Sequence, residues 1–303
     1  MIEIPTCLVL GAGASIPYGF PSGINLRNKI LRNFGTSPWP KLLSELGIED
    51  KDLIKSFIND FNISRIQSID KFLELRTEYL KIGKLAIAYA LIPIENTKDL
   101  FPIDESPNRW YTYLYKRLLT PNLNQLLSNK LLIITFNYDR SLEHFLYNVI
   151  KGSYPTATEN KYAEFLNMMD IIHIYGKLGN LPWQGEPSRP YEPDPTPKQY
   201  EIASEQIKII SEQNPRSQVL KEAFQYLCAS DRIFFLGFGY DESNFNRLGM
   251  EYVPDKEEKQ IWGTAFDLGI AEIKSLKKKW PYLKFAQNNI DISSFFKEVI
   301  TLE

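Results

Sequence analysis

The chain has 303 residues, a formal net charge of −2, 44% hydrophobic residues, two cysteines and two histidines. Near-neutral charge removes any bulk electrostatic pull toward nucleic acid or an anionic membrane surface. No apolar run approaches the roughly 18 residues of a membrane span, and no basic stretch followed by an apolar segment opens the sequence, so a cytoplasmic protein is expected. Cys7 and Cys228 stand far apart in apolar runs and read as buried thiols; two cysteines cannot build a four-cysteine zinc site, and no metal is expected.

The first element is Thr6-Cys7-Leu8-Val9-Leu10, a short apolar, β-prone run that reads as a buried parallel strand. It breaks into the turn Gly11-Ala12-Gly13-Ala14-Ser15. Residues with little or no side chain let a backbone approach a bulky polar group. The free N–H groups of such a turn suit a phosphate where it also opens a helix. A tight structural turn explains the same residues equally well. The hydride-transfer fingerprint needs a third glycine where Ile16 stands, and an acidic residue about 20 positions on, where Asn33 to Gly35 offer none. A triphosphate loop would need Gly-Lys-Ser/Thr, which is absent. These departures point to a dinucleotide site of another lineage and away from a dehydrogenase.

Leu26, Ile30 and Phe34 follow at spacings of four, which predicts a helix leading away from the turn. Residues 35–60 are mixed, 68–91 are strongly helical, and 109–119 form a second helical stretch containing WYTYLY. These elements are too long for a simple crossover, so about 35–128 reads as a helical insertion between the first two core strands. Its aromatic helices are the place to expect a surface for self-association or for a partner.

Residues 130–135 form the second predicted strand, followed by Phe136-Asn137-Tyr138-Asp139 and a helical stripe of Leu142, Phe145, Leu146, Val149 and Ile150. His144 lies off that stripe. Polar residues at the carboxyl end of a parallel strand stand where α/β sheets bind ligands. Asn137 and Asp139 are also natural turn and helix-cap residues. Residues 169–176 give a third strand, with His173 shortly before Gly176, either a packed core histidine or a third ligand-facing strand end.

The segment 182–197, PWQGEPSRPYEPDPTP, is too rich in proline for regular structure and reads as a lid or partner-facing loop. Residues 198–228 return to helix and 232–236 form a fourth strand. A second glycine turn follows, Gly237-Phe238-Gly239-Tyr240-Asp241-Glu242-Ser243-Asn244, in which Asp241 or Asn244 either reaches a ribose or caps the next helix. Residues 261–266 form the fifth predicted strand, and Lys277 to Lys279 a solvated helix face. The whole reads as a single α/β domain over 1–303: a Rossmann-like parallel sheet flanked by helices, with the helical insertion.

Four strand ends thus carry GAGAS, TFNYD, HIYG and GFGYDESN in that order. The set resembles the sirtuin-like (silent information regulator two) family over roughly residues 6–266. By that resemblance Gly11, Ala12, Gly13, Ala14 and Ser15 cradle the pyrophosphate of NAD+. Asn137 and Asp139 face the nicotinamide ribose and carboxamide, His173 is the catalytic base, and Gly237, Asp241 and Asn244 lie toward the adenosine. The four-cysteine zinc module of the deacylases is missing, as are the Asp and Arg of their segment after the first turn. Both departures resemble the bacterial sirtuin-like NAD hydrolases of antiphage defence. The resemblance implies an NAD+ hydrolase releasing nicotinamide and ADP-ribose, an oligomer, and activation by an infection-sensing partner, a ring-forming ATPase or an Argonaute-type protein. An NAD-dependent protein deacylase and a catalytically silent NAD-sensing scaffold stay open as alternatives.

Overall fold

The computed structural model describes residues 1–33, 39–169, 171–209, 217–286 and 289–302. Phe34, the last position of the first helical spacing, and Asp170, in the third predicted strand, lie outside them.

Six parallel strands form one sheet: β1 (Thr6–Leu10), β2 (Leu131–Thr135), β3 (Ile171–His173), β4 (Arg232–Leu236), β5 (Gln260–Gly263) and β6 (Lys284–Phe285), in the order β3-β2-β1-β4-β5-β6. This is a Rossmann-like α/β fold. Every residue of β1 and β4 is buried, as continuous apolar strands in the middle of a helix-covered parallel sheet must be. Burying Leu8, Val9 or Leu10 contributes about 1.5–3 kcal/mol each relative to leaving it in water.

The registers bring the four strand ends together. Leu10 pairs with both Thr135 and Leu236, and Thr135 pairs with His173. Gly11, Phe136, Ile174 and Gly237 therefore leave the sheet at one level. The chain runs outward from β1 to β2 and β3 on one side and to β4, β5 and β6 on the other. In open α/β sheets the ligand crevice lies outside the carboxyl ends of the strands at such a reversal of strand order, here beside β1.

Between β1 and β2 lie α1 (Gly23–Asn33), α2 (Trp39–Glu45), α3 (Lys51–Ser64), α4 (Ile69–Leu75), α5 (Leu80–Leu91), α6 (Thr97–Leu100) and α7 (Tyr111–Leu118). The mixed segment after α1 contains two helices, the second started by Asp50, whose carboxylate accepts from the Asp52 and Leu53 amides. The predicted helix 68–91 is divided: α4 stops at Arg76, and a 3₁₀ turn, Thr77–Tyr79, leads into α5.

The aromatic side chains of helix α7 pack largely into the core. Trp110, Tyr111 and Tyr115 are buried, and Tyr113 stacks on Phe296 with ring centroids 5.1 Å apart. Tyr113 thereby ties the insertion to the last helix, α14 (Ile292–Glu298).

The remaining connections are α8 (Ser141–Ser153) and α9 (Glu159–Asn167), then α10 (Pro197–Gln206) and α11 (Gln218–Ala229), then α12 (Glu242–Arg247) and α13 (Ile270–Lys279). β3 ends at His173, earlier than the apolar pattern suggests, because the chain turns at once toward Gly176, whose φ is +66°. Cys7 is fully buried and Cys228 only partly so.

The proline-rich segment is anchored to the rest of the fold by buried side chains. Arg189 and Tyr191 are buried within it, and Arg189 shares the Glu95 carboxylate with Arg140. Side chains of all three charged residues are fully buried. Arg140 also donates to the carbonyls of Asn180, Arg189 and Pro190, each at 3.0 Å.

Candidate functional site at the strand-order reversal

The two glycine turns meet edge to edge. Gly11 N–H donates to Leu236 O at 3.0 Å and Gly13 N–H to Gly237 O at 2.9 Å. Gly237 has φ +57°, and its own N–H is held by the Thr264 hydroxyl at 2.8 Å. A Cβ on Gly237 would stand 2.2 Å from Ala14 N. Glycine at 237 is therefore demanded twice, by conformation and by space.

The Ala14 and Ser15 amides close the first turn onto Gly11 O and Ala12 O. The turn's N–H groups are thus largely spent on its own shape. Among the described residues, the Ala12 N–H has no protein acceptor and stands at a half-buried position where an anionic oxygen can reach it. Gly239, on the opposing turn, is exposed.

Asn137 is the residue that joins strand end two to strand end one. Its backbone N–H is held by Thr135 Oγ1 at 3.1 Å, and its Nδ2 donates to Gly11 O at 2.9 Å and Ser15 Oγ at 3.0 Å. Because Gly11 O can only accept, the NH2 end of the amide must face it. Oδ1 is left with no protein donor among the described residues, on a half-buried side chain. A preset acceptor of this kind serves a hydroxyl, a water or a developing positive charge.

Asp139 lies beneath the turn and away from the opening. It is buried and accepts from the amide of Ser141 at 3.1 Å and from the hydroxyls of Ser141 and Ser15. Burial pushes its carboxyl above the usual range, against the pull of those hydroxyls. Asp139 holds Ser15, which in turn holds Asn137. Tyr111 OH extends the chain to Ser141 Oγ at 2.7 Å, and Tyr111 itself stacks on Tyr18 at 3.6 Å between centroids.

His173 also lies behind Asn137. Its Nδ1 is 3.0 Å from Asn137 O and its Nε2 2.8 Å from Glu143 Oε1. Both partners are oxygens, one a backbone carbonyl and the other a carboxylate, so each ring nitrogen is engaged by the protein. The ring thereby ties the Asn137 backbone to α8 from behind. Burial of Glu143 pushes its carboxyl up, but the adjacent His173 outweighs it and holds the group down at about 2.

Asp241 caps α12, accepting from the Ser243 and Asn244 amides at 2.9 and 3.4 Å. Its carboxylate is exposed. Asn244 Oδ1 accepts from Tyr175 OH at 2.5 Å. That bond links the loop after β3 to the helix after β4, across the ends of β2 and β1. Phe136 fills the space beneath, edge-on to Tyr175 at 5.5 Å and to Phe238 at 5.2 Å. On one flank α4 reaches the same edge, through Asp70 to Tyr138 OH and through Glu74 to Arg247 at 3.4 Å.

The structure thus gathers Gly11 to Ser15, Asn137, His173 and Gly237 into one bonded group, with Asp139 below it and Asn244 at its rim. Sequence reasoning missed Glu143 and Tyr175. Glu143 was readable as a charge inside the Leu142–Phe145 apolar face, whereas nothing local marks Tyr175. No family of known proteins has a model that matches this chain, and no curated protein matches it either. Among the described residues no group of His, Cys, Asp or Glu is arranged to hold a metal ion.

Proposed function

We propose that the chain is an NAD+ glycohydrolase that cleaves the bond between nicotinamide and ribose to give nicotinamide and ADP-ribose. The observation that carries the reading is Asn137, its amide nitrogen locked onto the first glycine turn and its Oδ1 uncommitted. That turn sits at the reversal of strand order, where a dinucleotide lies in folds of this class. The ordered motifs of the sequence, GAGAS, TFNYD, HIYG and GFGYDESN, support the same reading by their resemblance to the sirtuin-like hydrolases.

Cleavage passes through an oxocarbenium-like state in which positive charge moves from the pyridinium to the ribose. An acceptor dipole fixed in advance stabilises that charge without reorganising. Asn137 Oδ1 supplies it and orients the water or ribose hydroxyl. The Ala12 N–H meets a pyrophosphate oxygen, with Gly239 across the crevice. His173 and Asp139 keep Asn137 in place from behind. Water attacking so electrophilic a carbon can lose its proton after the bond has formed, so this route asks for no strong base. We place the enzyme in antiphage defence, as an oligomer switched on by an infection-sensing partner.

Asn137→Ala is expected to lower NAD+ turnover about 10²- to 10³-fold, the usual cost of removing one preorganised polar group, in a chain that still folds but melts somewhat lower for the loss of two hydrogen bonds. Nicotinamide release is the measurement. Full turnover in that variant would remove Asn137 from the mechanism.

A further inference from the structure

Beside the segment that follows the first glycine turn lies a cavity of about 550 Å³, lined on one wall by α1. Asn25, Asn28, Lys29 and Arg32 line it from that helix. Their spacing of three, four and seven places them on one face of α1. The opposite face carries the buried Leu26, Arg27 and Ile30 into the core. Asn33, at the helix end, and Ile16, from the turn, complete the polar and apolar parts of the lining.

Among the described residues the lining contains two cations and three amides and no carboxylate. Among the described residues neither Lys29 nor Arg32 makes an ion pair, while Lys29 is half-buried. Burial holds its ammonium below the ordinary lysine range, and no acid nearby offsets that cost. An arriving anion offsets it. The volume falls in the range of small-molecule pockets, about 300–1,000 Å³, well beyond what a lone inorganic ion fills. None of Gly11 to Ser15, Asn137 or Gly237 lines this cavity, so it is separate from the crevice at the strand-order reversal.

We propose that this cavity binds a small phosphorylated molecule of mononucleotide size, its phosphates on Lys29 and Arg32 and its polar remainder on the three asparagines. The site stands on its own residues and does not depend on what the crevice does. ADP and inorganic phosphate are the probes, added to the intact chain in calorimetry and hydrogen-exchange experiments. The expected result is saturable ADP binding that protects the segment 16–33 and weakens at least about tenfold in Lys29→Met/Arg32→Met, as lost charge-assisted bonds require. Phosphate alone is expected to bind more weakly at the same place. Asn137→Ala is expected to retain the binding. Arg32→Met alone, at an exposed position, guards against a folding defect and is expected to weaken ADP by itself. Equal ADP affinity in both variants and the natural chain, protection confined to the glycine turns, or no binding to the natural chain would each overturn the proposal.

Discussion

A Cβ on Gly11 would stand 2.5 Å from Gly237 O, and one on Gly13 2.7 Å from the Gly237 Cα. Those contacts are backbone and cannot swing aside, so both glycines are required by the meeting of two turns before any ligand is considered. Gly11→Ala is therefore expected to lower stability by about 1–3 kcal/mol, the usual range for overpacking, measured by urea denaturation. An unchanged urea midpoint would mean the turns can part. At the same scale, acid stability separates two buried groups. Burial and Arg140 hold His144 down at about 4, below its ordinary value of 6.5. Its contribution is complete above pH 6.5 and is lost as pH falls toward 4, because the unfolded chain binds the proton first. Glu143, held at about 2 against an ordinary 4.5, contributes above pH 4.5 and loses that on the way down to 2. The shift corresponds to on the order of 3 kcal/mol. His144→Gln is expected to flatten the upper part of the stability–pH curve and Glu143→Gln the lower part. Identical curves for the natural chain and both variants would contradict these assignments. The gathering of GAGAS, Asn137 and His173 at one edge of the sheet was legible from their place at strand ends. The inward direction of Asp139 and the doubly engaged His173 ring were not, since each depends on partners on other elements.

Elements that look independent in the sequence are joined by buried charge. Glu95 follows α5 in the insertion, Arg140 precedes α8 and Arg189 lies in the proline-rich segment, yet they form one cluster sealed from water. Removing the only acid of the three leaves two buried guanidiniums facing each other. Glu95→Ala is expected to cost about 3–5 kcal/mol, the range for breaking a buried pair, and to open 182–197 to proteolysis. A melting temperature within a degree or so of the natural chain, with the segment still resistant, would show that the carbonyl contacts of Arg140 suffice. Sequence patterning found β1, β2 and β4 nearly to the residue, because continuous apolar runs bounded by polar turns have one reading. It missed β6, whose two residues carry no pattern. It also joined α4 to α5 across Arg76, since an apolar spacing alone does not register a backbone that leaves the helical region for a single turn.

At the scale of the whole molecule, the sheet registers do the assembling. Motifs separated by more than a hundred residues leave the sheet at one level because Leu10 pairs with Thr135 and Leu236 at once. The fold class was legible from alternating strands and helices, while the strand order that creates the crevice came only from the pairing. The central claim is that this crevice hydrolyses NAD+ without an acyl acceptor. The most direct measurement is chromatography of nicotinamide and ADP-ribose after incubating the intact chain with NAD+, alone and with candidate activating partners, with and without an acetyl-lysine peptide. The account predicts equal amounts of nicotinamide and ADP-ribose, independent of the peptide. Nicotinamide released only when the peptide is present, or saturable NAD+ binding with no release under any of these conditions, would contradict it.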